Sequence, residues 1–263
     1  MHLSSAQNQT FKYWLSLKEK SRERRKSGLF LIEGKREIQL ALKGGYLIES
    51  LIWVPEIMGE NEDLSWLPNQ VQTYSITPDL YAKLAYRETT EGMLAVAQSK
   101  THSISDLVVK SNPLVLVAEG IEKPGNLGAL LRTADAAGVD AVLLTDCATD
   151  IYNPNVIRSA VGCVFTTPIA VGTSADCIQF LQDHNINIFA ATLQNANVYT
   201  ACDFSAPTAL VVGAEANGLT EIWRKAAHQN MIIPMAGVID SMNVSVAAAI
   251  CMFEAVRQRS IKR

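Results

Sequence analysis

The segment formed by residues 114–138, LVLVAEGIEKPGNLGALLRTADAAG, passes from an apolar run through a glycine-rich turn into a helical pattern. Residues 114–118 predict a short strand, because continuous apolar runs of this length are typical of strands covered on both faces. After the turn, apolar residues recur at the spacing of one helix face: Leu127, Leu130, Leu131 and Ala134. Gly138 is placed to end this helix. The segment therefore predicts a strand–turn–helix unit of an α/β protein.

The same alternation continues toward the C-terminus. Further strands are predicted at residues 141–144, 187–191, 209–212 and 231–233. Helices are predicted at residues 126–137, from Asn153-Pro154 to Gly162, at 219–228 and at 243–258. Short apolar strands separated by helices imply a parallel sheet that is covered on both faces.

The first hundred residues predict a smaller α/β module. Its strands are expected at residues 29–34, 48–54, 71–76 and 93–97, and its helices at 11–26 and 36–42, with a short helix opened by Thr77-Pro78. A polar stretch, residues 99–113, separates this module from the alternating region. We expect two domains, residues 1–105 and 106–263.

Composition favours an ordinary globular protein. Of the 263 residues, 48% are hydrophobic and 19% are charged, and no apolar run approaches the ~20 residues of a membrane span. The N-terminus has no apolar segment typical of a secretory signal, so the expected location is the cytoplasm. Five cysteines without C-x-x-C spacing and four scattered histidines predict reduced thiols and argue against a zinc site.

The charge is unevenly distributed. A net charge of −3 argues by itself against a nucleic-acid-binding protein. Between Lys12 and Arg36, however, nine basic residues stand against three acidic ones. This local excess of six charges would attract phosphates. A solvated helix and a phosphate-binding surface are both consistent with this stretch.

The C-terminal region of alternating strands and helices contains three turns that are rich in glycine, asparagine or serine. Each turn follows an apolar run. They are PGNLG at residues 124–128, VVGAEANGL at 211–219, and IPM at 233–235 followed by DSMNVS at 240–245. Turns of this kind form ligand sites in open parallel sheets, because backbone N–H groups and helix N-termini converge there.

In their order and spacing, these three turns closely resemble the motifs of the SpoU family of RNA 2′-O-ribose methyltransferases. That family belongs to the SPOUT class and uses S-adenosylmethionine. The resemblance covers residues 113–259, and residues 25–36 resemble a ribosomal-protein-like substrate-binding domain. It implies a small N-terminal α/β RNA-binding domain and a parallel-sheet SPOUT domain with a C-terminal trefoil knot. It also implies a homodimer.

The resemblance further implies site residues. The catalytic set would be Asn126, Arg132, Glu215, Ser241 and Asn243, with no metal. The cofactor-binding set would be Leu193, Gly213, Gly218, Ile233, Met242 and Ser245. Because guanidinium holds its proton tightly, substrate positioning suits the arginine better than the role of base that is proposed in the family. Lys123 departs from the pattern, since many relatives have an acidic residue there.

Each of these residues also has an ordinary structural interpretation. Asn126, Ser241, Asn243 and Ser245 are good helix caps, Arg132 is a typical solvated charge, and Glu215 would favour a helix N-terminus. Together the three turns favour a ribose methyltransferase, and the additional front domain favours ribosomal RNA as the substrate. The alternatives are a tRNA 2′-O-methyltransferase and a non-catalytic RNA-binding protein. A dinucleotide-dependent oxidoreductase is disfavoured, because no G-x-G-x-x-G follows the first strand of the alternating region.

Overall fold

The computed structural model describes residues 1–59, 62–87, 91–214, 218–238 and 241–261. The chain divides into two compact units. The first consists of Met1–Thr101 and Asp150–Thr166, and the second of His102–Thr149 and Thr167–Arg263. Within the described ranges, no helix is both long and apolar enough to cross a membrane.

The first unit is built around a five-stranded mixed sheet. Its strands are β1 (His2–Leu3), β2 (Leu29–Glu33), β3 (Ile48–Trp53), β4 (Gln72–Ile76) and β5 (Met93–Gln98), in the order β1-β4-β3-β5-β2. Strand β4 is parallel to β1 and β3, whereas β5 is antiparallel to β2 and β3. The helices preceding β5 are α1 (Gln9–Glu19), α2 (Ser21–Ser27), α3 (Lys35–Lys43), α4 (Pro55–Met58) and α5 (Pro78–Leu84).

The single helix expected over residues 11–26 is two helices. Lys20 between them has an extended backbone, with φ −116° and ψ 110°. The buried Arg24 guanidinium donates to the carbonyls of Leu17 and Lys18, at 2.6 and 3.0 Å. These carbonyls belong to the last turn of α1, where intrahelical partners run out. Because the helix breaks at Lys20, Arg24 of α2 can donate hydrogen bonds to the free carbonyls in the last turn of α1.

The second unit is built around a seven-stranded sheet in which every pairing is parallel, as the sequence predicts. Its strands are β6 (Leu114–Glu119), β7 (Ala141–Thr145), β8 (Ile169–Gly172), β9 (Asn187–Ala191), β10 (Asn197–Val198), β11 (Thr208–Val212) and β12 (Gln229–Ile232). The strand order is β10-β12-β9-β11-β6-β7-β8. Its helices are α6 (Pro124–Ala137), α8 (Ser174–Asp183), α9 (Glu221–Ala226) and α10 (Val244–Ile261), and α7 (Pro154–Ser159) falls in the first unit.

The apolar stripe predicted on α6 is confirmed. Leu127, Leu130, Leu131 and Ala134 are all completely buried. Gly138 ends the helix with the left-handed backbone, φ 66°, that glycine adopts without a Cβ penalty. Strands β8 and β10, helix α8 and the short β1 were not predicted. Strand β10 and β1 have only two residues each, which is too short for a periodic signal.

Residues 150–166 pack with the first unit, although their place in the chain is inside the alternating region. Tyr152 stacks on Phe30 with ring centroids 4.0 Å apart, and Phe165 does so at 6.0 Å. Arg24 Nε donates to Asp150 Oδ2 at 2.6 Å. The expected helix after Asn153 is present as α7, and it belongs to the first unit. The division into residues 1–105 and 106–263 stays a prediction, and this segment is an addition to the front unit that chain order does not reveal.

Candidate active site

Two of the three turns are joined by their side chains. Strands β6, β11, β9 and β12 are neighbours in the parallel sheet, so their carboxyl ends lie along one edge. The first turn follows β6 and the third follows β12. There, Asn243 Nδ2 donates to Asn126 Oδ1 at 3.1 Å, across 117 residues of sequence. Two residues proposed from the sequence for the same site therefore meet.

Asn243 also caps α10. Its Oδ1 accepts from the backbone N–H of Ser245 at 3.0 Å and from the Ser245 hydroxyl at 2.6 Å. Its backbone carbonyl accepts from the N–H groups of Val246 and Ala247, both at 3.0 Å. The carboxamide oxygen of Asn243 thus accepts hydrogen bonds from the start of the helix, while its nitrogen donates to Asn126. The capping and site interpretations of Asn243 are compatible, because they use different atoms.

A cavity of about 370 Å³ lies between the second and third turns and the end of β9. Five of the six residues proposed for the cofactor line it: Leu193, Gly213, Gly218, Ile233 and Met242. Ser241, from the proposed catalytic set, lines it as well. Ser245 does not, since its hydroxyl and amide are both turned to Asn243. Thr192, Gln194 and Met235 complete part of the wall and were not picked out from the sequence.

The cavity fits a nucleoside-containing cofactor. Its volume lies within the roughly 300–1,000 Å³ range of small-molecule sites, and aliphatic walls alternate with backbone and a few polar side chains. A Cβ on Gly213 would lie only 2.5 Å from the backbone carbonyl carbon and oxygen of Gly218. Gly218 itself has φ +63°. Both glycines are therefore required for the second turn to fold against the cavity.

A second, smaller cavity of about 240 Å³ adjoins the first, since Ala214 and Val244 line both. Its remaining wall is the first turn and the loop before it, including Lys123 and Asn126. Thr149 Oγ1 donates to the carbonyl of Ile121 at 2.7 Å and so fixes this loop. The smaller cavity is lined by the carboxylate of Glu122 as well as by the cation of Lys123 and the carboxamide of Asn126. A cation and a carboxamide are groups that suit a ribose–phosphate unit.

Arg132, also from the proposed catalytic set, is not bonded to this pair in the part of the chain that the structure describes. Arg132 is exposed on α6, nearly two turns beyond Asn126. Within the described ranges, no hydrogen bond or ion pair connects its guanidinium to Asn126, Ser241 or Asn243. Glu215 lies outside the described residues.

A buried carboxylate behind the second turn was missed from the sequence. Glu119 ends β6 and is only 4% exposed. Its Oε2 accepts from the backbone N–H of Thr220 at 2.8 Å, and its Oε1 accepts from the Thr220 hydroxyl at 2.6 Å. The hydroxyl of Ser174 lies 3.1 Å from Oε1 and accepts from Trp223 Nε1 at 2.9 Å. Glu119 thereby fixes the chain next to Gly218. The available sequence signal was a single acidic residue at the end of an apolar strand.

Comparison with known proteins gives two family matches. The SpoU rRNA methylase family model matches residues 113–253, and the MRM3-like substrate binding domain model matches residues 8–95. The chain is 32% identical to the Bacillus subtilis 23S rRNA (guanosine(2553)-2′-O)-methyltransferase RlmP, over 95% of this chain and 97% of that protein.

Solved structures agree over nearly the full length. One is described as an RNA 2′-O ribose methyltransferase, with a TM-score of 0.85, 34% identity, and coverage of 99% of this chain and 100% of the other. Another is the SpoU methyltransferase AviRb from Streptomyces viridochromogenes in complex with AdoMet. Its TM-score is 0.85 at 29% identity, covering 97% of this chain and 99% of the other.

Proposed function

The chain belongs to the SpoU rRNA methylase family, and from this premise we propose that it methylates a ribose 2′-hydroxyl of 23S ribosomal RNA with S-adenosylmethionine. The Asn126–Asn243 hydrogen bond carries the proposal, because it places the first and third turns together beside two adjoining cavities. The larger cavity takes the cofactor and the smaller one takes the nucleotide.

Backbone and apolar side chains hold the cofactor. Gly213 and Gly218 allow close approach of the ligand to the backbone, while Leu193, Ile233 and Met242 supply apolar surface. Thr192 and Gln194 add hydrogen-bonding groups in the same wall. The bound cofactor supplies an electrophilic methyl group on a sulfonium. Ser241, from the proposed catalytic set, lines the larger cavity and would face the bound cofactor.

The protein's own contribution is alignment. Asn126 and Asn243 fix each other's orientation and hold the ribose, and Lys123 in the same cavity wall attracts its phosphate. Alignment of the ribose oxygen with the methyl carbon can lower the barrier by about 7–11 kcal/mol. Arg132 binds an RNA phosphate from its exposed position and does not act as the base. Glu215 is assigned to the same substrate side by family resemblance alone.

We also propose that the chain functions as a homodimer through α10. Val246 is 50% exposed and Phe253 is 48% exposed. With the half-buried Ala249 and Ile250 between them, they form one apolar helix face at positions i, i+3, i+4 and i+7. Such a face is typical of a helix with a partner. We infer a C-terminal trefoil knot from the family resemblance. We infer a cytoplasmic location from the ribosomal substrate.

The decisive test is transfer of a radiolabelled methyl group from S-adenosylmethionine to total RNA from a strain that lacks this protein. Ribosomal and transfer RNA are separated afterwards. We expect label at one alkali-resistant linkage in 23S rRNA. Label in transfer RNA would contradict the substrate but not the chemistry. Cofactor binding without transfer to any RNA, including immature ribosomal particles, would favour the non-catalytic RNA-binding alternative.

A further inference from the structure

An aromatic side chain and a cation from distant segments meet on the surface of the first unit. Tyr86 is 42% exposed, and the guanidinium carbon of Arg158 lies 5.8 Å from the centroid of its ring. Arg158 is exposed too. No hydrogen bond or ion pair to its guanidinium is present in the described part of the chain. By contrast, neighbouring Arg87 is neutralised by Glu37 and Glu91.

The backbone beneath Tyr86 is fixed. The carboxylate of Glu33 accepts from the N–H of Tyr86 at 2.8 Å and from that of Arg87 at 3.3 Å. Lys18 Nζ donates to the carbonyls of Lys83 and Ala85, at 2.7 and 2.8 Å. The turn that presents the tyrosine is therefore tied to β2 and to α1. An aromatic ring on a fixed backbone loses little freedom when a ligand stacks on it.

The backbone beneath Arg158 is fixed as well. Helix α7 is capped by Asn153, whose side chain accepts from the N–H of Asn155 at 2.8 Å. Val156 and Ile157 are buried, and Ile157 shares a cleft with Tyr86 and Arg158. The helix thus holds its arginine on the outer face above the tyrosine. This arginine lies outside residues 8–95, the part of the chain that matches the substrate binding domain.

We propose that Tyr86 and Arg158 form a stacking platform for one unpaired base of the RNA substrate. Planar aromatic and guanidinium groups stack on the π-face of any base, and they reach that face only where the base is unpaired. The inference deepens the proposed function and rests on it. The platform belongs to the recognition of an unpaired loop or bulge of the RNA, and its sequence preference is weak.

The test measures binding of the full chain to a short single-stranded RNA and to a duplex of the same length. The single strand contains 2-aminopurine, whose fluorescence is quenched by stacking. Tyr86→Ala should weaken binding to the single strand about tenfold and remove the quenching, with duplex binding unchanged. Tyr86→Phe should preserve both. Arg158→Lys should retain the salt dependence of binding but lose part of the quenching.

Tyr13→Ala is the matched control, since Tyr13 is another exposed tyrosine of the same unit. Thermal unfolding shows whether each variant is folded. If Tyr86→Ala binds and quenches like Tyr13→Ala, the platform is overturned while the proposed function stands. If the wild-type chain binds S-adenosylmethionine but neither RNA, the platform is overturned, whereas the ribosomal substrate is decided by the methyl-transfer assay.

Discussion

The two units build their surfaces in different ways. In the second unit, short turns after adjacent strands meet at one sheet edge, and a hydrogen bond between Asn126 and Asn243 joins two of them. In the first unit, residues 150–166 are added from far along the chain and are held by a buried ion pair and by aromatic stacking. A site made of local turns can be predicted from motifs, whereas a surface completed by a distant segment cannot.

The largest expected effect comes from a substitution that weakens the attachment of residues 150–166 to the rest of the first unit. Arg24 is 4% exposed and bonds both Asp150 and the end of α1. Arg24→Ala removes the guanidinium from the mostly buried carboxylate of Asp150 and from two carbonyls of α1, which should cost about 3–5 kcal/mol of unfolding free energy. Chemical denaturation measures this loss. Arg25→Ala is the control, because Arg25 is an exposed neighbour on the same helix. Equal stability of the two variants would contradict the structural role of the pair.

The next effect concerns the joined turns. Asn243→Ala removes the donor to Asn126, and we expect methyl transfer to fall about 10²–10³-fold, the size typical of a lost preorganised hydrogen-bond group. Loss of the α10 cap should also lower stability by about 1 kcal/mol. Initial rates and calorimetric cofactor affinity are compared with those of Asn69→Ala, an exposed asparagine of the first unit. A fall in cofactor affinity as large as the fall in rate would place Asn243 in the cofactor site instead.

The same contrast between local patterns and contacts of distant segments explains how much of the structure could be predicted from the sequence. Leu127, Leu130 and Leu131 were identified as buried because a helix face is a local pattern. The position of Tyr152 on Phe30 depends on folding of residues more than a hundred positions apart, and no local pattern encodes it. The break between α1 and α2 at Lys20 likewise depends on the hydrogen bonds of Arg24, one of which goes to the distant Asp150.

The candidate site shows the same limit within the second unit. Turn residues such as Gly213 and Met242 could be proposed from motifs, and they do line one cavity. Glu119 could not be singled out, because its importance comes from partners in α8 and at the start of α9. The pairing of Asn126 with Asn243 was implied only by family resemblance of the turns that contain them.

A smaller effect tests the local turn. Gly213→Ala places a methyl group against the backbone of Gly218, so the second turn must shift and cofactor affinity should fall roughly tenfold or more. Gly237→Ala is the matched control, since a Cβ there would meet nothing within 4 Å. Calorimetric titration with S-adenosylmethionine distinguishes them. Unchanged affinity in the Gly213 variant would argue that the larger cavity is not the cofactor site.

The smallest effect concerns Glu33 beneath the proposed platform. Burial raises the pKa of its carboxyl, and the N–H groups of Tyr86 and Arg87 and the nearby Arg87 and Lys18 charges only partly oppose this. Because the folded-state pKa is above the unfolded value, the folded state binds the proton more tightly. The contribution of Glu33 to stability is therefore greatest at low pH and falls as pH rises through the window that begins near the ordinary value of 4.5.

Glu33→Gln should remove that pH dependence. The amide oxygen can still accept a backbone N–H, so the turn that carries Tyr86 should persist. The slope of unfolding free energy against pH across the acidic range should be more positive for this variant than for Glu56→Gln, which alters an exposed carboxylate. Identical slopes would mean that the N–H groups and basic side chains around Glu33 fully offset its burial. The first unit would then tolerate a buried acid through compensation by its neighbours, much as the second unit does with Glu119 and its three close donors.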